Sequence, residues 1–319
     1  MRIIFFGSSK ENISAVCLQH LIEKGCNIVA IVTNKDKSYK GYINAFTLYK
    51  NIPIIQVDDL NSIAFANKIK EFKPDLQIVV AFRILPKEIF TIPKLGTINL
   101  HPSLLPEYRG PAPIQWAIIN GEKKTGVTTF YIDEKIDEGN IIYQKGIQIK
   151  KTDTYTTLEN KLSEAGAKLL YKTIKGIKST KVRRNKQVSY FFDMQHPITK
   201  KNISLHKAPK IFSKDCKIDW TKNTIDIYNL IRGVDAWTEI NTKNGIKILK
   251  IIEAHMHLYN MIYYSKYKFK PGIIFFTDNY KHMFISTKDG YIELFRVQLE
   301  GKKQMNILDF INGIKNILC

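Results

Sequence analysis

The stretch "RIIFFGSSKENISAVCLQHLIEKGCNIVAIVT", residues 2–33, decides the fold. Two near-continuous apolar runs, "RIIFFG" (2–7) and "CNIVAIVT" (26–33), flank a segment, 13–25, whose apolar residues recur at helical spacing. Gly25 stands where that helix should stop. A strand that is apolar at nearly every position has no face to give to water. Such strands belong to parallel sheets, whose crossover helices cover both faces.

The pattern then repeats. "IPIIQV" (52–57), "LQIVVAF" (76–82) and "GTINLH" (96–101) are the next apolar runs, separated by segments such as "SIAFANKIKEF" (62–72). "GVTTFYID" (126–133) and "IIYQKGIQI" (141–149) extend the sheet. A helix from about Asp153, its expected N-cap, to Lys175 closes the domain. The expected fold of this half is therefore an α/β, Rossmann-like, mostly parallel sheet with helices on both faces. The first turn, "FFGSSKEN", has one glycine where a dinucleotide fingerprint needs three, which argues against a nicotinamide cofactor. No GxxxxGK[ST] sequence occurs, which argues against an ordinary P-loop ATPase.

Composition shifts between about 168 and 205, where Asp193 is the only acid among many lysines and arginines before Lys201. Periodicity fades after Lys178. This segment reads either as a basic stripe that meets phosphates or as a solvated connector. Beyond Ile211 one amphipathic helix, "TIDIYNLIRGV" (224–234), is followed by short strand-like runs. Asn244-Gly245, Pro271-Gly272 and Asp289-Gly290 separate them. Such a pattern fits a small OB-like β-barrel, and "NILDFINGI" adds a final short helix. The expected organisation is a catalytic domain over 1–180, a basic linker over 181–206 and an OB-like domain over 207–319.

Composition narrows the function classes. The chain has 319 residues and a formal net charge of +20, which suggests a polyanionic partner such as nucleic acid. The cations are mostly lysine, so drift in composition can supply part of that charge. The four cysteines, Cys17, Cys26, Cys216 and Cys319, form no CxxC pair and suit neither a zinc site nor a disulfide framework. His255 and His257 alternate in "EAHMHLYN" without a third ligand nearby, which reads as strand rather than metal site. No run is long enough to span a bilayer, and the N-terminus lacks the pattern of a signal peptide. The expected compartment is the cytoplasm.

The chemistry gathers in "TINLHPSLLPEYRGPAPIQWAI" (97–118). Residues i and i+2 of a strand project to one face, so Asn99 and His101 point together while Leu100 points away. Pro102 ends the strand. Ligands bind at the carboxyl ends of strands in such sheets. An asparagine amide can donate to a developing oxyanion, and a histidine can handle a proton near neutral pH. Together they suit acyl or formyl transfer through a tetrahedral intermediate. No GxSxG elbow is present, and direct attack by a substrate amine needs no enzyme nucleophile. An acid that orients the histidine is required. The loop "YIDEKIDEGNII" (131–142) offers Asp133, Glu134, Asp137 and Glu138, and spacing alone does not choose among them.

At these residues the chain resembles the 10-formyltetrahydrofolate-dependent formyltransferases. The family couples N-x-H-x-SLLP to a downstream segment of the form "TGVT…D-x-G", here "TGVTTFYIDEKIDEGNI" (125–141). The resemblance implies that Asn99, His101 and Asp137 are the catalytic residues, with no metal. It also implies that Ser103, Leu104, Leu105 and Pro106 contact the folate. "APKIFSKDCKIDW" (208–220), "IYNLIRG" (227–233), "KPGIIF" (270–275) and "VQLEGKKQMNILDFING" (297–313) resemble the carboxyl-terminal domain of the family members that act on methionyl-tRNA. The implied reaction is transfer of the formyl group of 10-formyltetrahydrofolate to the methionine amino group of initiator methionyl-tRNA by a monomeric enzyme. The alternative is a formyltransferase for a small-molecule amine, a sugar or ribonucleotide. The segment "NKDKSYKGYINAF" (34–46) is shorter and poorer in arginine than the family's loop that enters the tRNA acceptor arm.

Overall fold

The computed structural model describes residues 1–8, 11–35, 51–182, 185–187, 205–242, 245–258, 270–277 and 280–314. The 34–46 loop beyond Lys35, and most of the basic connector, lie outside the described residues. The chain divides into two compact units. One holds residues 1–114, 123–151 and 156–209; the other holds 115–122, 152–155 and 210–319.

The first unit is built on a seven-stranded sheet. Its strands are β1 (Ile3–Gly7), β2 (Ile28–Asn34), β3 (Ile54–Val57), β4 (Leu76–Val80), β5 (Thr97–His101), β6 (Lys124–Tyr131) and β7 (Ile141–Gln148). The spatial order is β3-β2-β1-β4-β5-β6-β7. The pairs up to β5 are parallel, and β6 and β7 continue antiparallel. The helices are α1 (Asn12–Glu23), α2 (Ile63–Glu71), the single turn α3 (Lys87–Phe90), α4 (Pro113–Ile119), which belongs from Gln115 onward to the second unit, and α5 (Tyr155–Lys178). The last of these begins two residues beyond the expected N-cap Asp153 and runs one turn further than Lys175.

The apolar runs behave as their composition requires. Ile4, Phe6, Ala30, Val32 and Val79 share one face of the sheet and pack with Phe65 and Ile69 of α2 and Ile89 of α3. The intervening residues Ile3, Phe5, Ile31, Ile78 and Val80 are also fully buried, so neither face meets water. On the second face Ser14 of α1 donates through Oγ to the Val80 carbonyl (2.6 Å), and Leu100 of β5 lies against Gly166 of α5. Cys17 of α1 lies wholly in this interior, and burial pushes its thiol pKa up.

The second unit is an antiparallel, curled sheet. Its strands are β8 (Trp237–Thr242), β9 (Gly245–Leu258), β10 (Ile274–Phe276), β11 (Met283–Ser286), β12 (Gly290–Leu299) and β13 (Met305–Asn306). They run in the order β10-β11-β12-β9-β8, with β13 beside β12. The long β9–β12 pair shifts register at Leu294/Arg296 and again at Arg296/Val297. An extra residue on one strand raises the local twist and bends the ladder, which closes the sheet around its core. Helix α6 (Thr224–Gly233) covers that core, contributing Ile227 and Ile231, and α7 (Ile307–Ile314) contributes Phe310. No helix among the described residues is long and apolar enough to cross a membrane.

Two short excursions from the first half of the chain belong to this second unit. Ile118 and Ile119 lie against Gly233, and the Asp153 carbonyl accepts a hydrogen bond from Arg232 Nη1 (2.7 Å). Arg232 is buried, and its Nε and Nη2 both donate to Asn229 Oδ1. Burial lowers the arginine's pKa from its ordinary value, since the charged form has lost water.

Candidate active site

Strand β5 places Asn99 opposite Phe130 and His101 opposite Thr128 on neighbouring β6. The two polar side chains share one face, as period-two geometry demands, and Leu100 turns to the other. His101 is 5% exposed. Asn99 is half-buried, and its amide has no hydrogen-bond partner among the described residues. A half-buried amide with unspent donors at a strand's carboxyl end is suited to receive a ligand oxygen.

The chain then turns through Ser103–Pro106, and β6 and β7 hold the turn. Thr128 Oγ1 donates to the Ser103 carbonyl (2.6 Å) and accepts from Leu105 N (3.2 Å). Gln144 Nε2 donates to the Leu105 carbonyl (2.7 Å) and to Thr128 Oγ1 (2.9 Å). Ser103 Oγ donates to the Glu107 carbonyl (2.6 Å). Leu105 packs with Phe130 and Ile141, and the Leu105–Pro106 peptide is cis. Ser103, Leu105 and Pro106 are buried, which leaves Leu104 as the half-exposed side chain of the four.

Three consecutive residues after this turn organise the polar centre. Tyr108, at φ 59°, offers its carbonyl to His101 Nε2 at 2.8 Å. The carbonyl can only accept, so Nε2 carries the proton and Nδ1 faces the other way. Nδ1 lies 3.8 Å from Asp137 Oδ2, an ion-pair distance beyond hydrogen-bond length. Gly110 N donates to Asp137 Oδ2 (2.9 Å), at a φ of +123° with the Ala208 carbonyl where a Cβ would sit. Between them Arg109 donates through Nε (3.0 Å) and Nη2 (2.6 Å) to Gln187 Oε1. Its Nη1 also pairs with Glu138 at 3.0 Å.

The four acids of the downstream loop separate by contact. Asp133 Oδ1 accepts from Lys135 N within its own turn, Glu134 pairs with Lys87, and Glu138 pairs with Arg109. Only Asp137 among the four is brought to His101. Gly139 lets the loop pass, because a Cβ there would lie 1.7 Å from the Tyr131 carbonyl oxygen.

Several organising groups left no trace in the sequence. The Tyr108 carbonyl and the Gly110 amide are backbone groups. Gln187 stands in the basic connector, yet it is buried and donates to the carbonyls of Asp137 (2.7 Å) and Gly139 (3.0 Å). At the end of the connector and just past it, Tyr108 N donates to the His206 carbonyl and Ala208 N to the Arg109 carbonyl, both at 2.8 Å. The His206 ring stacks on Tyr108 with centroids 5.4 Å apart. These described parts of the connector therefore belong to the first unit's polar centre.

His257 sits elsewhere, in the second unit, where His257 and His282 each contact a different oxygen of buried Glu293 at 2.7 Å. His255 packs on Phe295. No group of three His, Cys, Asp or Glu side chains that could hold a metal occurs among the described residues.

The formyl transferase family matches residues 1–174, more than half of the chain, and the formyl transferase C-terminal domain matches residues 210–315. A methionyl-tRNA formyltransferase of Azobacteroides pseudotrichonymphae is 41% identical over 98% of this chain and 95% of its own length. The chain belongs to the methionyl-tRNA formyltransferase family. A second member, from Parabacteroides distasonis, is 36% identical over 99% of the chain and 97% of its own. Among solved structures, an N-formyltransferase from Helicobacter canadensis, in complex with folinic acid and dTDP-3-aminofucose, superposes with a TM-score of 0.64. It is 22% identical, and the match covers 96% of this chain and 100% of that one. HypX from Aquifex aeolicus, in complex with tetrahydrofolic acid, gives a TM-score of 0.65 at 17% identity, over 98% of this chain. The chain spans about half of HypX, 47% of its length. At such identities these two structures speak for the fold alone. Asn99, His101 and Asp137 fall inside the segment matched by the formyl transferase family, and Gln187 falls between that segment and the one matched by the C-terminal domain.

Proposed function

We propose that the enzyme transfers the formyl group of 10-formyltetrahydrofolate to the amino group of methionine on initiator methionyl-tRNA. Full-length similarity to named methionyl-tRNA formyltransferases carries the assignment. The meeting of Asn99, His101 and Asp137 at one strand end supports the chemistry. The methionine amine attacks the formyl carbon, forming an N–C bond and a tetrahedral intermediate with negative charge on oxygen. The Asn99 amide donates to that oxygen. As the intermediate collapses, the bond from the carbon to N10 of the folate breaks. The amine gives up a proton and the departing N10 takes one.

His101 and Asp137 handle that exchange. His101 is fixed by the Tyr108 carbonyl, and Asp137 by the Gly110 amide through Oδ2. Asp137 Oδ1 has no partner among the described residues and can accept the amine proton directly or through water. The 3.8 Å gap between the two side chains is of the kind that closes when substrate binds and water leaves. Ser103, Leu104, Leu105 and Pro106 line the folate position, with Leu104 making the side-chain contact. Residues 1–180 serve as the catalytic domain. The connector, 181–206, and the barrel, 207–319, hold the tRNA by its phosphates, which gives the +20 charge a use.

The decisive experiment supplies radiolabelled formyl donor, in separate reactions, with charged initiator Met-tRNA, with charged elongator Met-tRNA and with a nucleotide-linked amino sugar. Label on the initiator alone is expected. Label on neither defeats the reading, and label on a nucleotide-linked amino sugar instead establishes the small-amine alternative.

A further inference from the structure

We infer that Gln187, a residue of the basic connector, is a positioning residue for formyl transfer: it holds the backbone of the acid loop so that Asp137 faces His101. The inference rests on the reading of Asp137 as catalytic.

Gln187 is 3% exposed in a lysine-rich segment where long polar side chains ordinarily reach for water. Its amide is fully spent. Oε1 accepts two hydrogen bonds from Arg109, and Nε2 donates one each to the Asp137 and Gly139 carbonyls. The chain reaches this position on a backbone pair, because Asn185 and Ile141 exchange both N–H···O bonds (2.8 and 3.1 Å) at the start of β7.

Two features make these contacts bear on chemistry as well as on folding. The first is the conformation of Asp137, whose φ of 54° is one that residues with a Cβ rarely adopt. Such a conformation persists only where the surroundings hold it. The side chain is held by Gly110 N, and the carbonyl of the same residue is held by Gln187. Freed at the carbonyl, the loop can relax to an ordinary φ, which swings the carboxylate away from His101. The second feature is Arg109. It stands between Tyr108, which orients His101, and Gly110, which orients Asp137, and its guanidinium holds Gln187 and Glu138. One buried amide thereby links the two halves of the proton-handling pair.

The test uses the full-length enzyme with 10-formyltetrahydrofolate and charged initiator tRNA. Gln187→Met keeps the volume and removes all four hydrogen bonds. Gln187→Glu keeps an acceptor for Arg109 but turns an oxygen toward two carbonyls. Both variants are expected to lose about 10- to 100-fold in kcat, the scale of a misplaced catalytic group, while KM for each substrate stays within about twofold. Gln187→Glu should be the worse of the two. Because Gln187 acts through Asp137, the double variant Asp137→Asn/Gln187→Met should turn over no more slowly than Asp137→Asn alone. A Gln187→Met enzyme with near-normal kcat and a lower melting temperature would reduce Gln187 to a structural residue and overturn the inference. Additive losses in the double variant would overturn it as well. If Gln187→Met does not fold, Gln187→Asn, too short to reach both partners, is judged by the same kcat and KM split. Near-normal turnover in Asp137→Asn alone would instead sink the assignment of Asp137, a result separable from any result at Gln187.

Discussion

At the scale of single residues, the site makes sharp predictions. Asn99→Ala should lower kcat about 10²- to 10³-fold, the cost of one oxyanion donor, with the circular dichroism spectrum unchanged. His101→Ala should lose about 10²- to 10⁴-fold, measured in the same formylation assay. Asp137→Asn should be severe and Asp133→Asn mild; the reverse order would show that the wrong acid has been assigned. The first two residues were legible in the sequence because a strand's period of two is rigid enough to pair Asn99 with His101. The acid was legible only as a loop. Its four carboxylates differ in what they contact across the fold, and no local rule encodes that. Gln187 was less legible still, since a single glutamine after Lys186 in a basic segment carries no periodicity and its partners lie about 50 and 80 residues away.

At the scale of elements, the central strands of the first unit were legible as apolar runs, since burial on both faces leaves a run with no polar gap, whereas β8, whose buried and exposed residues alternate, was not read as a strand. Their direction was less accessible. β6 and β7 are antiparallel additions to a parallel sheet, and an apolar run does not record which way it runs. The same antiparallel pair supplies Thr128 and Gln144, which hold the Ser103–Pro106 turn. Thr128→Val keeps the shape but strands the Ser103 carbonyl. It should cost about 1–3 kcal/mol in a denaturant titration, since a buried acceptor is left unpaired. It should raise KM for the folate more than it lowers kcat, because the turn, rather than the proton-handling pair, is loosened. An unchanged KM would detach this turn from folate binding. Gly139→Ala should be harsher, because the Tyr131 carbonyl occupies the place of the new methyl. Loss of soluble, cooperatively melting protein is the expected outcome.

At the scale of the whole molecule, charge and connectivity dominate. If phosphate contacts supply tRNA affinity, the logarithm of the binding constant should fall linearly with the logarithm of salt concentration, by about 0.7 to 0.9 per phosphate neutralised. A flat plot in a filter-binding titration would assign the net charge of +20 to composition rather than to recognition. Connectivity was the least legible property, because it is non-local. Nothing in "QWAIINGE" or "TDTY" announces membership of a unit whose sheet begins more than 80 residues later.

That interleaving limits how the molecule can be dissected. A fragment cut at the apparent junction near residue 210 carries off its sheet but leaves Ile118, Ile119 and the Asp153 carbonyl behind. The severed piece would present an apolar wall at Gly233 to solvent and strip the Arg232 guanidinium of an acceptor that water must replace. Attempts to study the second unit in isolation should therefore graft the two short excursions back on, or work by substitution within the intact chain.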